Sequence, residues 1–173
     1  EAALDLGSMK YDPRIESIPD LQRAIPEGAG MAVMLDDPWA LDYARNRIVN
    51  LDLPGAAGPG GGLPSFTTPE HWRAYFRQQG IRYLAFVQEG QSTWLYRRLG
   101  WVWRIYGDDE LYRFLAAHMV DTIDTFEKLE TTSKVVARID GMVAIDLGEA
   151  VPTEESRGAD ELTRMDDYVR RLS

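Results

Sequence analysis

Two neighbouring aspartates, Asp36 and Asp37, follow directly on the apolar run Met31-Ala32-Val33-Met34-Leu35. If that run is a strand, the pair stands at its carboxyl end, the edge at which open α/β sheets bind ligands. Paired carboxylates there suit a magnesium ion, or a hydrolase or transferase that uses both. The simpler reading gives one aspartate to the cap of a following helix, with Pro38 at its first position, and leaves the other solvated. His118, Asp121 and Asp124 form a second set, on successive turns of a helical stretch. That spacing would suit a metal, but a lone histidine on a core-facing stripe is usually packed, and the expectation is no metal and no cofactor. The sequence has no Gly-x-Ser-x-Gly elbow and no cysteine nucleophile.

The most glycine-dense stretch is GAAGPGGGLPS, residues 55 to 65, between an expected strand and an expected helix. A phosphate-binding Walker loop closes on a lysine and a hydroxyl residue, whereas this run closes on Leu63-Pro64. A dinucleotide fingerprint starting at Gly58 and Gly60 needs a third glycine where Leu63 stands. The stretch reads as a flexible surface crossing made by glycine and proline turn chemistry.

Trp94, Trp101 and Trp103 fall within ten residues and are interleaved with Arg97, Arg98 and Arg104. Rings with a polar edge beside long basic side chains suit a lipid–water interface, where a guanidinium meets phosphate. They also suit a packed core with arginines at its rim, a partner-facing surface, or a ligand pocket.

These residues must be positioned by a chain of 173 residues, enough for one domain with one core. A formal charge of −9 argues against nucleic acid as a partner, because phosphate neutralisation dominates that affinity. With no cysteine there is no disulfide framework, and two histidines leave most zinc geometries out of reach. No apolar run reaches the roughly 20 residues that span a bilayer, and the acidic opening lacks a signal-peptide layout. The chain reads as soluble, and its start at a glutamate reads as a fragment or processed chain.

Leu21 and Ile25 fall four apart in a first helix over 18 to 25, ended by Pro26 and Gly28. The run 31 to 35 is expected as a strand, 38 to 46 as a short helix and 47 to 51 as a second strand. Thr68-Pro69-Glu70 opens a helix that carries Trp72, Tyr75 and Phe76 on one face and ends at Gly80. Residues 81 to 87 make the strongest strand. A helix interrupted at Gly100 is expected over 92 to 103, and a long one from Asp108 to Leu129 with Phe114, His118, Ile123 and Phe126 along one stripe. Asp140-Gly141 between two β-rich runs is a hairpin signal. Together these predict an α/β fold: three layers, a largely parallel sheet of about five strands extended by the carboxyl-terminal hairpin, and helices on both faces. Residues 1 to 150 form one domain; 151 to 173 follow as a polar linker and an amphipathic helix through Leu162, Met165, Val169 and Leu172.

The order Ile25-Pro26-Glu27-Gly28-Ala29-Gly30 leading into Met31 to Pro38, then Arg45-Asn46-Arg47-Ile48-Val49-Asn50, then Gln79-Gly80-Ile81-Arg82-Tyr83-Leu84-Ala85, resembles the soluble carboxyl-terminal domain of GT-C-type polytopic membrane glycosyltransferases and their uncharacterised relatives. The likeness covers residues 18 to 87, with the 134 to 147 hairpin in a fitting place; the aromatic-basic stretch, the helix after it and the polar tail depart from it. It implies an accessory domain of a cell-envelope membrane protein, held on the extracytoplasmic face, with transmembrane helices upstream. A lipid-linked sugar donor would react at acidic residues of membrane-proximal loops outside this sequence, so no catalytic residue carries over. The implied partners are the upstream transmembrane region or the membrane surface, and a lipid-linked sugar or its acceptor. The rival expectations are a stand-alone hydrolase or transferase using Asp36 and Asp37, and a plain protein-interaction module.

Overall fold

Continuous apolar runs become strands buried on both faces, among them β1 (Gly30–Met34) and the central β3 (Tyr83–Val87). The other strands are β2 (Arg47–Asn50), β4 (Lys134–Ile139) and β5 (Met142–Asp146); the α-helices are α1 (Ile18–Arg23), α2 (Pro69–Gln78) and α3 (Glu110–Thr131). The computed structural model describes residues 13–51, 63–88, 91 and 110–148, the side chains of residues 111, 112, 115 and 116 apart. The expected helix over 92 to 103, most of the glycine-rich crossing and the carboxyl-terminal helix lie outside the described residues.

The sheet order is β2-β1-β3-β5-β4. β1 pairs in parallel with β2 and with β3, while β3–β5 and β4–β5 are antiparallel. The sheet is therefore mixed and not largely parallel. Composition explains the placement of the hairpin: Met142, Val143, Ala144 and Ile145 are all buried, which requires an interior strand. β4 carries Lys134 and Arg138 and is half exposed, which suits an edge. The turn between them is the expected Asp140-Gly141 pair, with φ of 48° and 75°.

Alternation along the strands sorts the core into two faces. Ala32, Met34, Leu84, Phe86, Val143 and Ile145 meet α2 and α3 through Trp72, Phe76, Ile123, Phe126 and Leu129. Met31, Val33, Ala85, Val87, Met142 and Ala144 meet Ile18, Leu21 and Ile25 on the other side. On the α2–α3 face Phe126 lies 5.5 Å from the rings of both Trp72 and Phe86. Burying one such ring contributes on the order of 2 to 3 kcal/mol. The α3 stripe is buried at His118, Ile123 and Phe126, whereas Phe114 near its start is exposed.

Two local expectations change. The first helix is shorter, α1 ending at Arg23, and is preceded by a 3₁₀ segment Pro13–Ser17. The expected helix over 38 to 46 is only the single 3₁₀ turn Pro38–Ala40, because Leu41 turns extended and Asp42 accepts from the backbone N–H of Ala44. Gln22 competes for the same backbone. Its side-chain amide, buried beneath α1, bonds both the N–H and the carbonyl of Asp42 at 2.8 Å and reaches Asn46 Oδ1 at 3.1 Å. Satisfying a buried amide completely outweighs the weak helical preference of so short a segment.

Candidate functional site

The connection from β1 to β2 crosses on the α1 face, where Leu41 is buried. The connection from β2 to β3 returns through α2 on the opposite face. β3 is likewise followed by α3 on that opposite face, and adjacent parallel strands whose connections leave to opposite faces open a crevice between their carboxyl ends, here β1 and β3. Asp36 stands in that position. Its side chain is only 6% exposed, and Arg14 Nη2 donates to its Oδ2 at 3.0 Å. Arg14 Nη1 also donates to the carbonyl of Gln91, just beyond β3, and Ser17 donates to Asp140 at the β4–β5 turn. The 3₁₀ segment thus lies across the carboxyl edge, with its guanidinium where a ligand would sit. Asp37 has a different partner, accepting from the Trp39 indole N–H at 3.1 Å; it places no side-chain cap on the 3₁₀ turn.

The second cluster is one that sequence reading assembled only in part. The end of the glycine-rich crossing folds onto α3, where the Ser65 hydroxyl is hydrogen-bonded to Nδ1 of His118. One turn later Asp121, fully buried, accepts from the backbone N–H of Phe66 at 2.6 Å. Phe66 is held at φ 55°, rare for a residue with a side chain, and packs edge-on against Phe114 at 6.0 Å. His118 and Asp121 therefore hold a turn, and among the described residues no group of three acidic or histidine side chains gathers as a metal site. Ser65 gave no signal, because its partner is 53 residues away.

A serine hydroxyl against a neutral imidazole is the beginning of a nucleophile–base pair. With the proton on Nε2, Nδ1 accepts from Ser65. The orienting acid is missing: among the described residues no carboxylate is bonded to the other ring nitrogen, and Asp121 turns to Phe66. Burial lowers the His118 pKa below its ordinary 6.5. The folded state thus resists a proton that the unfolded chain accepts, so this contribution to stability is complete above about pH 6.5 and falls as the pH drops below it. Denaturation midpoints are expected to decline between about pH 7 and pH 5, and His118→Gln to flatten that slope; an unchanged slope would mean that the ring is solvated.

Of the residues that carry the resemblance, Arg45, Asn46, Arg47 and Arg82 lie toward the amino edge, and each of these four has a structural partner. Arg45 Nη2 donates to the Ile25 carbonyl at 2.8 Å. Asn46 is buried and donates to the carbonyls of Pro26 and Ala29. Arg47 reaches the Gln79 carbonyl at the end of α2, and Gly80 makes the following turn at φ 68°. Arg82 forks onto both oxygens of Asp146 at 2.9 and 2.7 Å, which holds that carboxyl below its usual range. These four arginine and asparagine side chains brace the sheet.

Trp94, Arg97, Arg98, Trp101, Trp103 and Arg104, expected as a membrane or partner surface, lie outside the described residues. Among the described residues no helix is long and apolar enough to cross a membrane. No protein-family model matches the sequence, and neither a curated protein nor a solved structure matches it.

Proposed function

We propose that the chain is an accessory α/β domain of a polytopic, glycosyltransferase-related membrane protein of the cell envelope, held on the extracytoplasmic face. It contacts the membrane portion, an acceptor or a lipid-linked sugar, and does not catalyse transfer itself. The observation that carries the non-catalytic part is the Arg14–Asp36 pair. At the edge where an α/β enzyme would hold substrate, the best-placed carboxylate is neutralised by the chain's own guanidinium. The membrane parent rests on the resemblance of residues 18 to 87, whose shared positions brace a sheet.

Incubated with nucleotide- or lipid-linked sugar donors, with and without magnesium, the isolated chain is expected to release no product. Asp36→Asn is expected to lower stability by about 2 kcal/mol, since it removes the charge-assisted hydrogen bond from Arg14 to a nearly buried carboxylate. Turnover that Asp36→Asn abolishes would move the function to a transferase or hydrolase at Asp36 and Asp37. The native protein is expected to stay with membranes through an alkaline wash; recovery in the aqueous fraction would remove the membrane parent.

A second reading has its own observation, the Ser65 hydroxyl on His118. A fluorophosphonate probe that labels Ser65, with labelling lost in His118→Ala, would make the pair a hydrolase site. Absence of labelling leaves it as the clamp of the crossing onto α3.

A further inference from the structure

The crevice at the carboxyl ends of β1 and β3 holds a cation, and the chain itself supplies it. Arg14 splits its two terminal nitrogens between acceptors that follow different strands: Nη2 donates to Asp36 Oδ2, past β1, at 3.0 Å, and Nη1 to the carbonyl of Gln91, past β3. A planar fork meets two separate acceptors at once, which a compact ammonium does less well. The Asp36 side chain is 6% exposed and that of Arg14 16%. A carboxylate on one side and a carbonyl on the other make a guanidinium site, at the place where open α/β sheets take ligands.

The segment that brings this cation is held lightly. Ile15 belongs to none of the apolar clusters of the described residues, and the first core side chain is Ile18. The ties named here are polar, two from Arg14 and one from the Ser17 hydroxyl to Asp140 at the β4–β5 turn. A segment with so little apolar burial can open while the rest of the domain stays folded. Arg14 stands four positions before Ile18, so on opening its guanidinium stays at an effective concentration on the order of millimolar. An outside guanidinium must compete with it.

We infer that Pro13–Ser17 is a strap closed over a guanidinium site, and that the ligand which replaces Arg14 there is an arginine side chain of another polypeptide. The present occupant argues for that source, since what fits between Asp36 and Gln91 is an arginine carried on a main chain. The chain's charge of −9 favours a cationic partner over an anionic one. The inference goes beyond the accessory-domain reading and does not depend on the membrane parent, because exchanging one arginine for another needs no catalysis.

The probe is N-acetylarginine amide, titrated calorimetrically into the full chain. Arg14→Ala vacates the site without touching the core. It is expected to bind the probe about tenfold more tightly than the wild-type chain, because the competing strap is gone, and to lose that binding when Asp36→Asn is added. N-acetyllysine amide is expected to bind severalfold more weakly. No binding by Arg14→Ala, equal affinity in the wild type, binding that survives Asp36→Asn, or no preference over the lysine amide would each overturn the inference. Tighter binding of free arginine than of the amide would overturn the polypeptide source. The wild-type chain gives a test that needs no variant to fold. Glu16 is exposed within the strap and Glu70 is exposed on α2, so both bonds are open to a glutamate-specific protease. The arginine amide is expected to speed cleavage after Glu16 severalfold over the lysine amide and to leave cleavage after Glu70 unchanged; no response at Glu16 would overturn the strap. Product release from sugar donors, or loss from membranes in the alkaline wash, would overturn the accessory-domain reading and leave these titrations as they stand.

Discussion

Gly30→Ala is expected to cost the domain about 3 kcal/mol of stability or to prevent folding, at the upper end of what an overpacked site imposes. A Cβ at position 30 would stand 2.2 Å from the Gly80 carbonyl oxygen and 3.2 Å from its carbon. Both are backbone atoms, so no side chain can swing aside. Neither strand can withdraw. β1 is bonded on one side to β2 and on the other to β3, and the Gly30 carbonyl itself accepts from the Arg82 N–H at 3.0 Å. Gly80 is fixed by its own turn, with φ 68° and its N–H on the Arg77 carbonyl. Gly28 is the internal control. It has φ 76° but nothing within 4 Å of a Cβ, so Gly28→Ala meets only backbone strain, about 1 kcal/mol. Urea denaturation of both variants measures the difference; equal losses would show that β1 and the end of α2 do not approach so closely.

Arg73→Ala is the second large effect, again about 3 kcal/mol, as cavity and lost hydrogen bonds combine. Arg73 is 1% exposed on α2. Its Nη1 donates to Ser133 Oγ at 2.8 Å and its Nη2 to Thr132 Oγ1, so one guanidinium joins α2 to the end of α3. Burial lowers its pKa, offset in part by Glu70. Among the described residues no carboxylate forms an ion pair with it. The compensating charge is the carboxyl end of α3, a helix of 22 residues. The Thr132 hydroxyl that accepts from Arg73 lies within 3.2 to 3.4 Å of the Lys128 and Leu129 carbonyls, passing the negative end of the helix dipole to the cation. Arg73→Lys is expected to recover less than half of the loss, because the ammonium, a single compact centre on a flexible stem, lacks the planar fork that sets two nitrogens against Thr132 and Ser133 at once. Full recovery by lysine would mean that charge alone matters at this position.

The same two sites show where reading along the chain succeeds. Gly80 ends α2 as expected because a left-handed residue is a local requirement, met within a turn of the helix it stops. Thr68 caps that helix by accepting from His71 N–H at 3.3 Å, again across three residues. Asp140-Gly141 turns the chain by the same local rule. The close approach that forbids a side chain at Gly30, by contrast, involves a residue 50 positions later and cannot be read from its neighbours.

The candidate sites divide in the same way. The sequence placed Asp36 at the carboxyl end of a strand, and the structure keeps it there. What it does is set by Arg14, 22 residues away and on the other side of α1. His118 and Asp121 were legible as a helical pair, but their partners Ser65 and Phe66 were not, being 53 and 55 residues distant. Sequence alone determined most strands, the capped helix α2, the long α3 and the hairpin, because sterics and capping act within a few residues. Tertiary structure alone decided that β5 and not β4 lies beside β3, that a buried Gln22 dissolves an expected helix, and that a guanidinium fills the crevice. Those outcomes follow from burial: each buried polar atom must find a partner and each fully apolar strand must find two neighbours, wherever along the chain those happen to be.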